Sequence, residues 1–291
     1  MFSQILVNGI IAGSIYALIA SGFSLIYSTN KFVHFAHGTV AIFGGYILYW
    51  LYSLLGLNFY LAVILTIITT AIIGYLLNLI VYRTLRAKKS SSSILLIASV
   101  GILILLESLI LILFGADVKT INLIQVSTGL SFAGAYITPL QISIVAISII
   151  LLILLYFFMN KTKIGKAMRA VSDNKDVAEV VGISAEKVYS WSFVIGSAIA
   201  GIAGILIALE QNLEPTMGTN LMVKGFAGAI IGGIGSVPGA VVGSYFLGLA
   251  ENFGIWFLPS GYKDAIAFVI LLIFLLFKPN GIFSVKKGLI K

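Results

Sequence analysis

Two histidines stand three residues apart, His34 and His37, in the run Phe32-Val-His-Phe-Ala-His-Gly38. On a helix an i, i+3 pair shares one face, so the rings offer two of the ligands a zinc ion needs. A third ligand is required. The candidate inside an apolar segment is Glu107, and nothing in the sequence brings it near. Packing and helix-end hydrogen bonds are therefore the better reading for both rings, and no metal is expected. The turn Gly232-Gly-Ile-Gly235 resembles a phosphate cradle but lacks the Gly-Lys-Ser/Thr ending of a nucleotide loop. The chain has no Cys, hence no disulfide, thiolate site or redox motif. No nucleophile–base pair is visible. The chain is expected not to be an enzyme and to carry no cofactor of its own.

The elements that hold these residues are membrane helices. Of 291 residues 60% are hydrophobic and 10% charged, and the mean hydropathy is +1.11. An ordinary soluble domain carries about 25% charged residues, so a soluble enzyme is excluded. The fold class is an all-α polytopic membrane protein with about nine transmembrane helices, eight to ten allowed. Apolar runs of spanning length cover 4–27, 32–56, 59–82, 92–114, 137–159, 190–209, 218–234, 236–256 and 261–278. The first is too long for a signal-peptide core. The tight turn Gly235–Pro238 leaves one long span or a re-entrant hairpin as rivals for 218–256.

Loop charge sets the orientation. Arg83–Lys89, residues 160–188 and the tail with Lys278, Lys286, Lys287 and Lys291 hold 14 of the 18 Lys and Arg. Basic loops stay in the cytoplasm. This places the N-terminus and 115–136 outside and the C-terminus inside. The net charge of +8 then reflects these loops and not a nucleic-acid partner. One transmembrane domain of residues 1–291 is expected. His37–Gly45 resembles Gly225–Gly233, each in the second helix of a four-helix set. An inverted repeat of 4–114 and 190–278 is one reading, with the pathway at the repeat interface. Chance likeness of two Gly-rich helices is the other.

Few ionisable groups fall within the spans, here Glu107 and Glu251. That argues against a proton pump, a voltage sensor or an ion-coupled carrier. For Glu107 a Ser, Tyr or backbone partner in the bundle is favoured over a substrate amine. With so few charges, any substrate in the spans is expected to be held weakly, by backbone groups, hydroxyls and helix ends. Glycine marks close helix contact. Gly228-Ala-Ile-Ile-Gly232 and Gly239-Ala-Val-Val-Gly243 are small-xxx-small faces. Gly38, Gly233 and Gly235 join them as packing or pathway candidates.

Residues 160–188 read as a docking element for a protein partner. Ile164, Ala167, Met168 and Val171 follow i, i+3, i+4, i+7, one helical face. Ser172-Asp173 is expected to cap a second short helix edged by Val177, Val180 and Val181, and Gly182 to stop it. The apolar stripe is expected to seat in a partner groove, with Arg169 and Asp173 paired together or at the rim. A helix lying on lipid headgroups is the alternative, but Asp173, Asp176, Glu179 and Glu186 fit an anionic surface poorly.

Phe32-Val-His-Phe-Ala-His-Gly38 resembles the Asn-Phe-Ala-His-Gly signature of branched-chain amino acid permeases of bacterial ABC importers, with His34 where that signature has Asn. Gly232-Gly-Ile-Gly-Ser-Val-Pro-Gly239 with Gly243, Tyr262-Lys-Asp264 and Lys278-Pro-Asn-Gly-Ile282 resemble the late motifs of that family. Gly165-Lys-Ala-Met-Arg-Ala170 through Gly182 resembles the segment that contacts the ATPase. The resemblance implies a multi-pass inner-membrane permease paired with a second, homologous permease. Two cytoplasmic ATP-binding subunits and an extracytoplasmic substrate-binding protein would complete the importer. Related permeases serve urea and short amides. A passive channel or membrane scaffold is the reading from another class, and it would not need residues 160–188.

Overall fold

The computed structural model describes residues 2–121, 123, 129–132 and 134–283. Lys286, Lys287 and Lys291 of the tail lie outside the described residues. Apart from one short hairpin, the regular structure is helical.

Helix α1 (Phe2–Asn30) runs through the centre. Its spanning window is 89% buried, against 11% for the last helix. The reason lies in its residues. Gly13, Ser14, Ala17, Ala20, Ser21, Gly22 and Ser24 are all buried, and small side chains let neighbouring backbones close in. In lipid this contact, more than apolar burial, holds helices together.

Helix α2 (Ala36–Leu48) continues as a π-helical stretch, Tyr49–Leu54. It starts later than the sequence suggests. Residues 31–35 are not helical although Phe32 and His34 are buried. Unwound backbone inside a membrane protein needs partners. Ser99 supplies them, its hydroxyl accepting from the Phe35 amide at 3.1 Å and lying 3.2 Å from the Val33 carbonyl.

Helix α3 (Phe59–Leu76) passes through a π-helical stretch, Leu77–Tyr82, into α4 (Arg83–Ala87), and α5 (Ser92–Phe114) follows. Strands β1 (Leu130–Phe132) and β2 (Ala135–Ile137) pair antiparallel, Leu130 opposite Ile137. The Gln4 side chain pins this hairpin, accepting from the Tyr136 amide at 2.8 Å. Helix α6 (Pro139–Lys161) leads to the short α7 (Lys163–Asp173) and α8 (Lys175–Val180).

Helix α9 (Ala185–Glu210) is the second central helix, with 72% of its window buried. A methyl group on Gly204 would strike the Ala41 carbonyl, so α2 and α9 meet backbone to backbone. After α9 the chain unwinds again over 211–216. Leu213 exchanges both backbone hydrogen bonds with Lys119, at 2.8 and 3.0 Å.

Helices α10 (Met217–Gly232) and α11 (Val237–Gly254) bend on each other by 114°. Gly233 and Gly235 take φ of +121° and +86° in this turn, a region that side chains disfavour. Ser236 then caps α11 by accepting from the Gly239 amide at 3.2 Å. Residues 278–283 fold back over the turn. The Ile282 and Phe283 amides donate to the Ile231 and Gly232 carbonyls, each at 2.9 Å. They satisfy carbonyls that the end of α10 would leave bare. Helix α12 (Lys263–Phe277) closes the bundle.

Helices occupy all nine expected segments. Among the described residues, six are long and apolar enough to cross a membrane, or seven when the bent pair counts as one span. The two small-xxx-small faces meet each other. A Cβ on Gly239 would lie 2.6 Å from the Gly232 carbonyl oxygen, and one on Gly243 would strike that of Gly228. Overfilling a packed contact costs about 1–3 kcal/mol, more where backbone is struck. Gly239→Leu is therefore expected to cut the yield of monodisperse protein several-fold in detergent gel filtration. A normal elution profile at normal yield would show that α10 and α11 do not rely on this contact.

Candidate functional site

The long loop folds as two capped helices. Thr162 caps α7 by accepting from the Gly165 amide at 3.0 Å. Gly165 fits because a Cβ there would strike the Phe158 carbonyl. Asn174, and not Ser172-Asp173, caps α8, accepting from the Asp176 and Val177 amides at 3.0 and 3.1 Å. An Asn side chain reaches two amides of a following turn well. Gly182, at φ +86°, ends α8.

The stripe on α7 does not face outward. Met168 and Val171 are buried in the main core, with Ile164, Ala167 and Ala170 packed beside them against α6, α1 and α9. The expectation of a partner groove over this stripe is corrected: the chain covers it itself. Periodicity reports which face is apolar, and α7 has these helices within reach. Exposed apolar side chains are Val177 and Val180 on α8 and Val181 just after it, Val180 at 86% exposure. Arg169 and Asp173 make no ion pair among the described residues. Both line a cavity of about 660 Å³ between α6, α7 and α11.

Arg86 fixes the loop to the bundle. Its guanidinium donates to both Glu186 carboxylate oxygens, at 3.0 and 2.9 Å. It also donates to Asn30 at 3.3 Å and Asn78 at 2.8 Å, and it lies 4.6 Å over the Tyr189 ring. A bidentate arginine defines orientation as well as contact. It ties the ends of α1, α3 and α9 together. Gly235, beside Tyr27 and Ser28, belongs to the same end of the bundle.

His34 and His37 lie deep in the bundle and are buried. His34 Nδ1 shares a hydrogen bond of 2.8 Å with the Tyr82 hydroxyl, and its ring meets Phe193 edge-on. The His37 ring fills the space beside Gly22. Glu107 is remote from this pair in hydrogen bonding: its carboxylate accepts from the Thr219 hydroxyl on α10 at 2.9 Å. Gly38 sits where α2 and α10 begin, and a Cβ there would strike the Gly218 carbonyl. The two broken helices thus cross at their amino ends.

Sequence reasoning passed over Lys224, a cation in the middle of α10. Its ammonium pairs with Asp264 at 2.9 Å and with Glu251 at 3.5 Å. It donates to the Tyr16 hydroxyl at 3.2 Å, which donates to Glu251 at 2.9 Å. Lys263 donates to Asn252 at 3.3 Å. The reading of Glu107 and Glu251 as the ionisable groups of the spans is corrected: Lys224 joins them, its side chain only 15% exposed. The signal was a lone lysine in a Gly-rich apolar run, since a buried cation requires partners from other helices.

The family described as branched-chain amino acid transport system, permease component, matches residues 5–275. The chain belongs to this family. BraD of Pseudomonas aeruginosa, a high-affinity branched-chain amino acid transport system permease protein, is 33% identical, covering 97% of this chain and 95% of that one. LivH of Escherichia coli K12, described in the same words, is 32% identical with the same coverage. The solved PsaBC of Streptococcus pneumoniae in complex with Fab shares the fold at a TM-score of 0.51 and 15% identity, over 94% of this chain and 91% of that one. Within this permease the buried and exposed apolar residues of the loop call for opposite results. Met168→Asp puts an unpaired carboxylate in the core, at about 3–5 kcal/mol, and is expected to lower the melting temperature of the purified permease clearly. Val180→Asp is expected to leave it within about 1 °C, as surface changes do. Equal melting of both variants would contradict the burial of Met168.

Proposed function

We propose that this permease is one membrane-spanning subunit of an ATP-driven importer of branched-chain amino acids in the bacterial inner membrane. The observation that carries the reading is likeness along 97% of the chain to permeases of branched-chain amino acid systems. The chain carries no nucleotide motif of its own, so the energy enters from partners. Two cytoplasmic ATP-binding subunits, a second homologous permease and an extracytoplasmic substrate-binding protein complete the importer. No cofactor is bound by this chain.

In this reading Val177 and Val180 on α8, with Val181 just after it, form the surface that meets an ATP-binding subunit. Exposed apolar side chains on a rigid, capped helix lose about 25 cal/mol per Å² when left in water, and the Arg86 clamp carries any push on them into α1 and α9. Nine spans place the Arg83–Lys89 loop, 160–188 and the tail in the cytoplasm and the N-terminus outside. The inverted halves, 4–114 and 190–278, are supported by paired contacts: α1 packs on α11 as α9 packs on α3, and α2 packs on α9 as α10 packs on α1.

Two measurements test this. The cysteine-free chain suits single-cysteine labelling of intact cells. Lys88→Cys is expected to react only after permeabilisation, and Asp117→Cys from outside. The reverse pattern would overturn the orientation. With the neighbouring operon proteins co-expressed, Val180→Asp is expected to lower co-purified ATP-binding subunit and labelled-leucine uptake by about tenfold or more, the scale of a lost apolar anchor. Wild-type recovery and uptake would remove α8 from the coupling surface. Absence of chain-dependent leucine uptake in the wild type would overturn the substrate.

A further inference from the structure

A cavity of about 380 Å³ opens between α1, α9, α10 and the first turn of α12. It lies away from the Arg86 clamp, toward the opposite end of the bundle. Its volume falls at the lower end of the roughly 300–1,000 Å³ range of small-ligand sites. The wall divides by chemistry. Ala12, Ile15, Ile207, Met217 and Leu221 form an apolar side. Tyr16, Gln211, Asn220, Lys224, Lys263 and Asp264 form the polar side.

The charged groups differ in how fully they are used. Lys224 is held from behind by buried Glu251 and by Tyr16. Lys263 makes no ion pair among the described residues, only its hydrogen bond to Asn252. Asp264 pairs with Lys224 yet keeps its side chain 55% exposed. Two cations and two anions thus cancel, and the pair at the mouth, Lys263 and Asp264, is accessible.

We propose that this cavity is a transient subsite for a zwitterionic α-amino acid with an aliphatic side chain. The inference rests on the importer reading above and names residues for it. The α-carboxylate meets Lys263 at the amino end of α12, where the helix dipole adds favourable potential. The α-ammonium meets Asp264. The side chain lies on the apolar wall. A cluster whose charges cancel accepts a ligand whose charges cancel. A lone carboxylate or a lone ammonium leaves a net charge in a poorly solvated wall, which is costly. Because the ligand competes with an existing Lys224–Asp264 pair, affinity is low, as suits a site that must release its cargo.

The test uses the full chain in isolated native membranes with its partner proteins. Asn220→Cys gives a single thiol at the cavity, and alkylation by N-ethylmaleimide is timed. Leucine is expected to slow the reaction with a half-effect at roughly millimolar concentration. 4-Methylpentanoate and 3-methylbutylamine, which keep one charge each, are expected to protect at least about tenfold less well, the loss of about 1.4 kcal/mol. Adding Asp264→Asn is expected to weaken leucine protection by a similar factor, and Asp264→Glu to restore it. A cysteine at Ser53, remote from the cavity, is expected to show no protection. Equal protection by all three ligands, or none by leucine, overturns the subsite. If the wild-type system moves leucine but the cavity is unprotected, the subsite alone falls; if it moves none, the importer reading falls with it.

Discussion

The structure depends on two helices, α1 and α9, coming close enough to their neighbours for backbones to touch. Apolar burial cannot arrange this in a bilayer, because lipid tails are as apolar as leucine. Close packing requires small residues at each crossing. Gly22 meets Gly196 where α1 crosses α9, Gly13 meets Gly248 where α1 crosses α11, and Gly204 meets Ala41 where α9 crosses α2. The outer helices α6 and α12 bear large exposed apolar side chains instead, which suits contact with lipid.

The polar groups follow from that frame. Two unwound segments, 31–35 and 211–216, run through or beside the core, and each finds backbone partners in Ser99 or Lys119. Two charged clusters do the same with side chains, Arg86 at one end and Lys224 toward the other. Helix α1 contributes to both, through Asn30 and Tyr16. Fourteen residues separate these positions, a rigid span of about 21 Å at 1.5 Å per residue. The Arg86 clamp and the charged cavity are therefore joined by one central helix.

Much of the plan was legible in the sequence. Run length located the helices, as with 92–114, and the paired small-xxx-small faces named the residues where α10 meets α11. Gly182 marked the end of α8 because a left-handed turn leaves few alternatives to glycine. Three features were not legible, for physical reasons. The stripe on α7 has the same period whether its own bundle or another protein covers it, so Met168 was assigned outward. Residues 32–35 are apolar like a helix, and only the Ser99 hydrogen bonds on α5 reveal that they are unwound. Lys224 finds its partners on α1, α11 and α12, and no local pattern brings four helices together.

The central claim is that backbone contact around α1 and α9 sets the fold, so that one methyl group placed there does harm while the same group on the lipid-facing side does not. The direct measurement is the melting temperature of two purified variants in the same detergent. Gly204→Ala places its methyl against the Ala41 carbonyl, whereas Gly101→Ala on α5 meets nothing within 4 Å. Gly204→Ala is expected to melt lower by about 4 °C or more, the response to a loss of about 1–2 kcal/mol in a domain of this size. Gly101→Ala is expected to match or exceed the parent, since alanine favours the helix by about 1 kcal/mol. A Gly204→Ala variant as stable as Gly101→Ala would contradict the account.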